Sequence, residues 1–217
     1  MLKKAVQTIF DFFFPPLCAY CRSFLEKETI FCDQCRSIIV PVVSSTLFVT
    51  ETKKIKVFAI SDYKDPVRFL ILTKKYSDIV SSRQLGQLIW DMTYLKNVSF
   101  DFIVPIPLHW TRFAKRGFNQ AHEMAKRIAR NSGKPALQVL KRSKKTKFQS
   151  TLKKAMREQN LKNSFVVVQK YAEHIQGKHI LIVDDLLTTG ATVRCAAREL
   201  YKLKPASITL AVACRVV

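Results

Sequence analysis

The chain has 217 residues, with 37 Lys and Arg against 16 Asp and Glu, a formal net charge of +21, 48% hydrophobic residues and 24% charged ones. That length makes one full domain plus a smaller appendage, and the balance of apolar and charged residues excludes a largely disordered chain. The five glycines, at 86, 117, 133, 177 and 190, fit none of G-x-G-x-x-G, G-x-x-x-x-G-K-[ST] and G-x-S-x-G, which removes the usual Rossmann fingerprint, the Walker A loop and the hydrolase elbow.

No run of about 18 uncharged apolar residues occurs, so no membrane-spanning helix is expected. Lys3-Lys4 followed by Ala5 to Phe14 has the outline of a signal peptide. Gln7 and Asp11 interrupt its apolar run, Pro15-Pro16 closes it, and no small-residue cleavage site follows. The segment reads instead as a short helix packing Phe10, Phe13 and Phe14 on the domain, with a membrane-surface anchor as the alternative.

Four cysteines come next, as Cys18-x-x-Cys21 and Cys32-x-x-Cys35 separated by ten residues. Each C-x-x-C puts two thiolates on one tight turn, and two such turns close a tetrahedral four-sulfur site for structural Zn²⁺. So short a segment needs the metal to supply much of its folding energy. Two disulfides would need an oxidising compartment, and a redox site would need only one C-x-x-C. Cys195 and Cys214 read as buried free thiols. The expected division is a helix and four-cysteine zinc finger over 1–45 and a second domain over 46–217.

Past the finger, Ile55, Val57 and Ala59 mark a strand. Asp65-Pro66 opens a helix running to Lys75, and a second helix spans 78–95 on Leu85, Leu88, Ile89, Met92 and Leu95. Phe102 to Val104 is a short buried strand. Asn119 caps a helix whose face is Ala121, Met124, Ala125, Ile128 and Ala129. Ser164 to Val168 resembles another strand. Ile180 to Val183 is a continuous apolar strand, and Val193, Ala196, Ala197, Leu200 and Leu203 form the next helical stripe. Ile208 to Val212 follows as a strand. This alternation implies an α/β fold, a parallel twisted sheet with helices on both faces.

Ligands of such sheets bind beyond the carboxyl ends of the strands, where Asp184-Asp185-Leu186-Leu187-Thr188-Thr189-Gly190-Ala191-Thr192 lies. Two carboxylates there accept hydrogen bonds from vicinal hydroxyls. Small hydroxyl residues, Gly190 and backbone N–H groups at a helix N-terminus surround a phosphate. A diol beside a phosphate is a ribose 5-phosphate. The alternative is an ordinary capped turn with two solvated acids.

Ile182 to Val193 resembles the phosphoribosyl-pyrophosphate (PRPP) motif of type I phosphoribosyltransferases. The whole chain resembles the ComF family of competence proteins, which join a small zinc finger to such a domain. The resemblance rests on the double C-x-x-C, on Pro105-Ile106-Pro107-Leu108 with Arg112, and on Arg116-Gly117-Phe118-Asn119-Gln120. It continues through Arg142, Thr146, Gln149, Leu152, Arg157, Asn160-Leu161 and Phe165 to the PRPP loop. It implies that Asp184 and Asp185 hold the ribose hydroxyls and that Thr188, Thr189, Gly190, Ala191 and Thr192 hold the 5-phosphate. It places Arg112, Arg116 and Lys75 toward the pyrophosphate, with Mg²⁺ accompanying PRPP. It also implies a cytoplasmic protein, with contact at the inner membrane and with DNA-uptake or recombination machinery left open.

Charge is concentrated over residues 112–157, where 15 Lys and Arg face a single acid, Glu123. Lys141, Arg142, Lys144, Lys145 and Lys147 are its densest run, a candidate nucleic-acid patch. Trp110, Phe113, Phe118 and Phe148 lie among the basic residues, where aromatics can stack unpaired bases or serve as rim and core. Two functions stay open: a PRPP-fold protein that handles single-stranded DNA in natural transformation, and a phosphoribosyltransferase acting on a nitrogenous acceptor.

Overall fold

The computed structural model describes residues 15–26, 29–73, 79–142 and 164–216. The expected N-terminal helix, Lys75, Lys144, Lys145 and Lys147 lie outside these.

After the cysteine turns and a short helix α1 (Asp33–Ser37), the chain forms β1 (Val42–Phe48) and β2 (Lys54–Asp62). Helices α2 (Val67–Thr73) and α3 (Ile79–Met92) lead to β3 (Phe102–Pro105), and then α4 (Trp110–Arg116), α5 (Gln120–Ser132) and β4 (Leu140–Arg142) follow. Strand β5 (Phe165–Val167), β6 (His179–Leu187), α6 (Ala191–Tyr201) and β7 (Ser207–Arg215) complete it. The central sheet has the order β1-β2-β7-β6-β3. Strand β1 pairs antiparallel to β2, and the other neighbours run parallel.

Two apolar layers sandwich the sheet, as the continuous hydrophobic runs require. On one face Leu181 and Val183 pack with Leu70, Leu85, Ile89, Met124 and Ile128 of α2, α3 and α5. On the other, Ile180 and Ile182 pack with Val193, Ala197 and Leu200 of α6 and with Phe165 of β5. The cysteine module is continuous with the first layer, because Cys18, Phe31 and Cys35 join the same buried cluster as Ile60 and Leu70. Tyr20 also meets Phe69 edge-on, with ring centroids 5.6 Å apart.

Several expectations shift. Strand β6 does not stop at Val183 but carries both acids and ends at Leu187. The 164–168 strand is present as β5, but it pairs with β4 in a separate two-stranded sheet. Strand β1 runs across residue 45. The segment after Pro107 that carries Arg112 and Arg116 contains helix α4.

Helix α5 begins where the Asn119 side chain accepts the Ala121 N–H at 3.1 Å and ends at left-handed Gly133. It lies close against α3 at Gly86, where an added Cβ would fall 2.6 Å from the Met124 carbonyl oxygen and 2.9 Å from its Cα. Gly86→Ala should therefore lower stability by about 1–3 kcal/mol, the usual cost of overpacking. Urea unfolding measures this, and an unchanged midpoint would mean that the two helices separate freely.

Candidate functional site

Parallel strands send their carboxyl ends to one edge, and β3 stops there before β6 does. Their pairing ends at Pro105 opposite Val183, extended by the Ile106 N–H donating to the Val183 carbonyl at 2.9 Å. Beyond this point β6 keeps only β7 as a neighbour, since Asp184, Leu186 and Leu187 pair with Val212, Cys214 and Arg215. The side that β3 vacates is a cleft of about 510 Å³. Asp184 and Asp185 line it together with Ile106 to Leu108, Arg112, Lys115, Arg116, Arg142, Thr188 and Thr192.

The turn between α4 and α5 builds one wall. Gly117, at φ 75°, closes α4 in the left-handed region with its N–H donating to the Phe113 carbonyl. Asn119 caps α5 with its oxygen, and its amide donates to the Ile106 carbonyl at 2.9 Å, tying that helix to the strand end. Arg116 reaches back to the buried Gln120 side chain at 3.1 Å. The R-G-F-N-Q run is thus a junction that aims two arginines, 112 and 116, into the cleft.

The opposite wall is the β6–α6 turn. Gly190, at φ 75°, sits so close to Leu47 that an added Cβ would come within 2.7 Å of it. The Arg194 guanidinium donates to the Thr189 carbonyl at 2.7 Å and fixes the loop. Of the five residues expected around a phosphate, Thr188 and Thr192 line the cleft. The Thr189 hydroxyl accepts the Ala191 N–H, and Gly190 and Ala191 are buried. What the turn offers an anion is therefore two hydroxyls and the α6 N-terminus.

Each acid lies within Coulombic reach of an arginine from a different element: Arg142 of β4 acts on Asp184, and Arg112 of α4 on Asp185. Burial and then the Asp185 charge push the Asp184 carboxyl well above the usual carboxylate range, against the pull of Arg142 and of the Asp185 N–H, which donates to it at 2.9 Å. Burial lowers the Arg112 and Arg142 guanidiniums from their ordinary values. The paired carboxyl groups offer oxygen atoms to a divalent cation or to a donating diol, so the donor set fits either.

The expected basic patch divides. Lys141 is exposed on β4, whereas Arg142 turns into the cleft, 5.5 Å over the Phe165 ring. Its cleft position was hidden because β4 and β5 pair across a long intervening segment. Lys115 and Gln120 are also cleft residues that were not singled out as ligands, and their positions in the α4–α5 block were the available signal.

The cysteine turns converge as expected. The Sγ atoms of Cys18, Cys21, Cys32 and Cys35 all lie within 4.8 Å of one another, Cys21 and Cys32 at 3.6 Å, and all four are free thiols. Metal–sulfur bonds of ~2.3 Å in a tetrahedron imply sulfur separations of about 3.8 Å, so the cluster is metal-sized. Hydrogen bonds from Ser23 lower the Cys21 thiol to about 6, and the Cys32 N–H donates to Cys18 Sγ at 3.4 Å.

Residues 91–216 match the phosphoribosyl transferase domain family, a span that holds all the cleft residues named above. Over 195 residues the chain is 29% identical to Competence protein F of Haemophilus influenzae, covering 87% of this chain and 80% of that one. It is 31% identical over 169 residues to DNA utilization protein YhgH of Salmonella typhi, covering 74% and 72%. Competence protein ComFC of Bacillus subtilis is 40% identical over 110 residues, which is 49% of this chain and 41% of that one.

Because Asp184 titrates high, the folded chain holds that proton more readily than the unfolded chain. The resulting stability is present below the usual carboxylate range and is lost as pH rises through the raised value. Asp184→Asn should accordingly stabilise the chain at neutral pH by on the order of 1 kcal/mol. The gain should vanish below roughly pH 4. Thermal unfolding across that range checks it, and a neutral-pH loss of stability would contradict the assignment.

Proposed function

We propose, from the premise that this chain belongs to the ComF family of competence proteins and carries a phosphoribosyl transferase domain, that its cleft binds PRPP or a related ribose 5-phosphate ligand and that it acts on single-stranded DNA during uptake. The observation that carries the first half is the acid pair at the open end of β6, facing three arginines across one cleft beside the α6 N-terminus. Vicinal ribose hydroxyls donate to Asp184 and Asp185. The 5-phosphate takes the Thr188 and Thr192 hydroxyls and the first turn of α6. The diphosphate lies toward Arg112, Arg116 and Arg142, with Lys75 proposed from the sequence alone. Mg²⁺ accompanying PRPP, which Asp184 and Asp185 could help to hold, would supply neutralisation of the diphosphate charge.

The second half draws on the names of the relatives, competence and DNA utilization, and on the charge over 112–157. Lys141 is exposed on β4, and the sequence continues its charge through Lys144, Lys145 and Lys147, a basic run suited to a phosphate backbone. The role belongs in the cytoplasm beside the uptake machinery. Among the described residues no helix is long and apolar enough to cross a membrane.

The three arginines also favour a second reading, turnover. An acceptor nitrogen would form a bond to C1 of the ribose as the C1–O bond breaks, its electron pair leaving on pyrophosphate. The guanidiniums would stabilise that leaving charge, and the acids would hold the sugar still.

The four-thiol cluster we assign to a structural zinc. Its donor set is the one zinc takes in closed sites, and its buried members Cys18 and Cys35 belong to the core beneath α2.

Calorimetric titration with Mg·PRPP should show one site, weakened on the order of a hundredfold in Asp184→Asn/Asp185→Asn, since hydrogen bonds to charged groups contribute about 1.5–3 kcal/mol each. Equal affinity in the variant would overturn the site. Pyrophosphate release with one of a panel of nitrogenous acceptors would establish turnover, and binding without release would establish a binding role. Metal analysis of the purified chain should give about one zinc per chain, lost in Cys32→Ser. A metal-free preparation with oxidised cysteines would refute that assignment. Affinity for an oligonucleotide should fall with salt at a slope on the order of −0.7 per neutralised phosphate, and a flat dependence would remove the DNA role.

A further inference from the structure

Helix α4 is amphipathic the wrong way round for a surface helix. None of its residues is buried. Its cations Arg112, Lys115 and Arg116 line the cleft. Its aromatic residues face water, Trp110 with 70% of its surface exposed and Phe113 with 50%. The two are three residues apart and so share one side of the helix, with Cβ atoms about 5–6 Å from each other. Of the four aromatics in the basic stretch, these two stand on the surface, Phe118 is half-buried, and Phe148 lies outside the described residues.

The helix is held as a platform. At its start the buried His109 ring accepts the Thr111 N–H and lies 5.8 Å from the Trp110 ring. At its end Gly117 closes the last turn. Two large rings fixed in water on the rim of a cationic cleft call for a partner that brings flat apolar faces and negative charge together.

We propose that α4 is a base-stacking rim for single-stranded nucleic acid: Trp110 and Phe113 stack on unpaired bases while the neighbouring phosphates are drawn to Arg112, Lys115 and Arg116 at the cleft mouth. The inference rests on the proposed DNA role and adds the surface that performs it. Charge complementarity selects this occupant. A second copy would bring another +21 against the most basic part of the chain. Duplex DNA has the phosphates but keeps its base faces stacked. A bilayer surface suits longer amphipathic helices with the cations on the solvent side, whereas α4 has seven residues and lines the cleft with its cations. Base stacking on an aromatic ring is tolerant of sequence, because every base has a π-face. The rim should therefore prefer single strands over duplexes without reading sequence.

The test uses the full chain, a fluorescent 20-nucleotide oligo-dT, and an abasic strand of the same length. Trp110→Ala/Phe113→Ala should bind oligo-dT about tenfold or more weakly than the parent, following the cost of removing stacking rings. It should bind the abasic strand as the parent does, with an unchanged salt slope, and Trp110→Phe should keep most of the affinity. Mg·PRPP binding, in which neither ring takes part, should be unaltered and reports that the variant is folded. Unchanged oligo-dT affinity in the double variant overturns the rim while leaving the DNA role standing. Equal loss on both strands overturns it as well, because the loss is then not one of base contacts. So does an effect confined to anionic phospholipid vesicles. A parent chain that binds no single strand defeats the DNA role and the rim with it.

Discussion

The unequal length of two parallel neighbours governs this molecule. Strand β3 gives up its pairing with β6 after the Ile106 N–H has reached the Val183 carbonyl, while β6 runs on along β7 to Leu187. Two carboxylates placed on that overhang are flanked by sheet on one side and by a cleft on the other. Holding them there is costly, as the raised Asp184 shows, and the cost is offset by guanidiniums that arrive from two distant parts of the chain. A ligand that donates to the acids and presents anions to the arginines relieves both sets of like charges at once.

The cysteine module is not a free appendage to this arrangement. Cys18 and Cys35 share a buried cluster with Leu70 and Ile71 of α2, and Ile71 also borders the cleft. Tyr20 against Phe69 adds a contact between the first cysteine turn and the same helix. The thiol cluster and the acid pair are therefore joined by one short helix, so the order of the first bears on the shape of the second.

Much of this was written in residue types whose local pattern matches their final setting. The apolar run Ile180–Val183, the acids after it and the α6 stripe form a βαβ unit from nearby residues alone, and the paired C-x-x-C turns need only their own spacing. The failures lie where local pattern and tertiary role part. Strand β1, Val-Val-Ser-Ser-Thr-Leu-Phe, lacks the alternation of a half-buried strand because it is an edge, and most of its side chains stay exposed or half-exposed. Helix α4 has no buried face to give it a stripe. Arg142 sits in a run of cations that reads as a nucleic-acid patch, and only the β4–β5 pairing, made between residues far apart in sequence, brings it near Asp184. The continuation of β6 past its acids depends on β7 alongside, which no local window contains.

The most direct measurement is a titration of the isotopically labelled chain with ribose 5-phosphate, followed by backbone amide NMR. The account predicts saturable shifts in the amides of Asp184 and Asp185 and in those from Thr189 to Thr192, all with one dissociation constant. Silence at those amides, or shifts gathered instead around exposed Lys141, would contradict it.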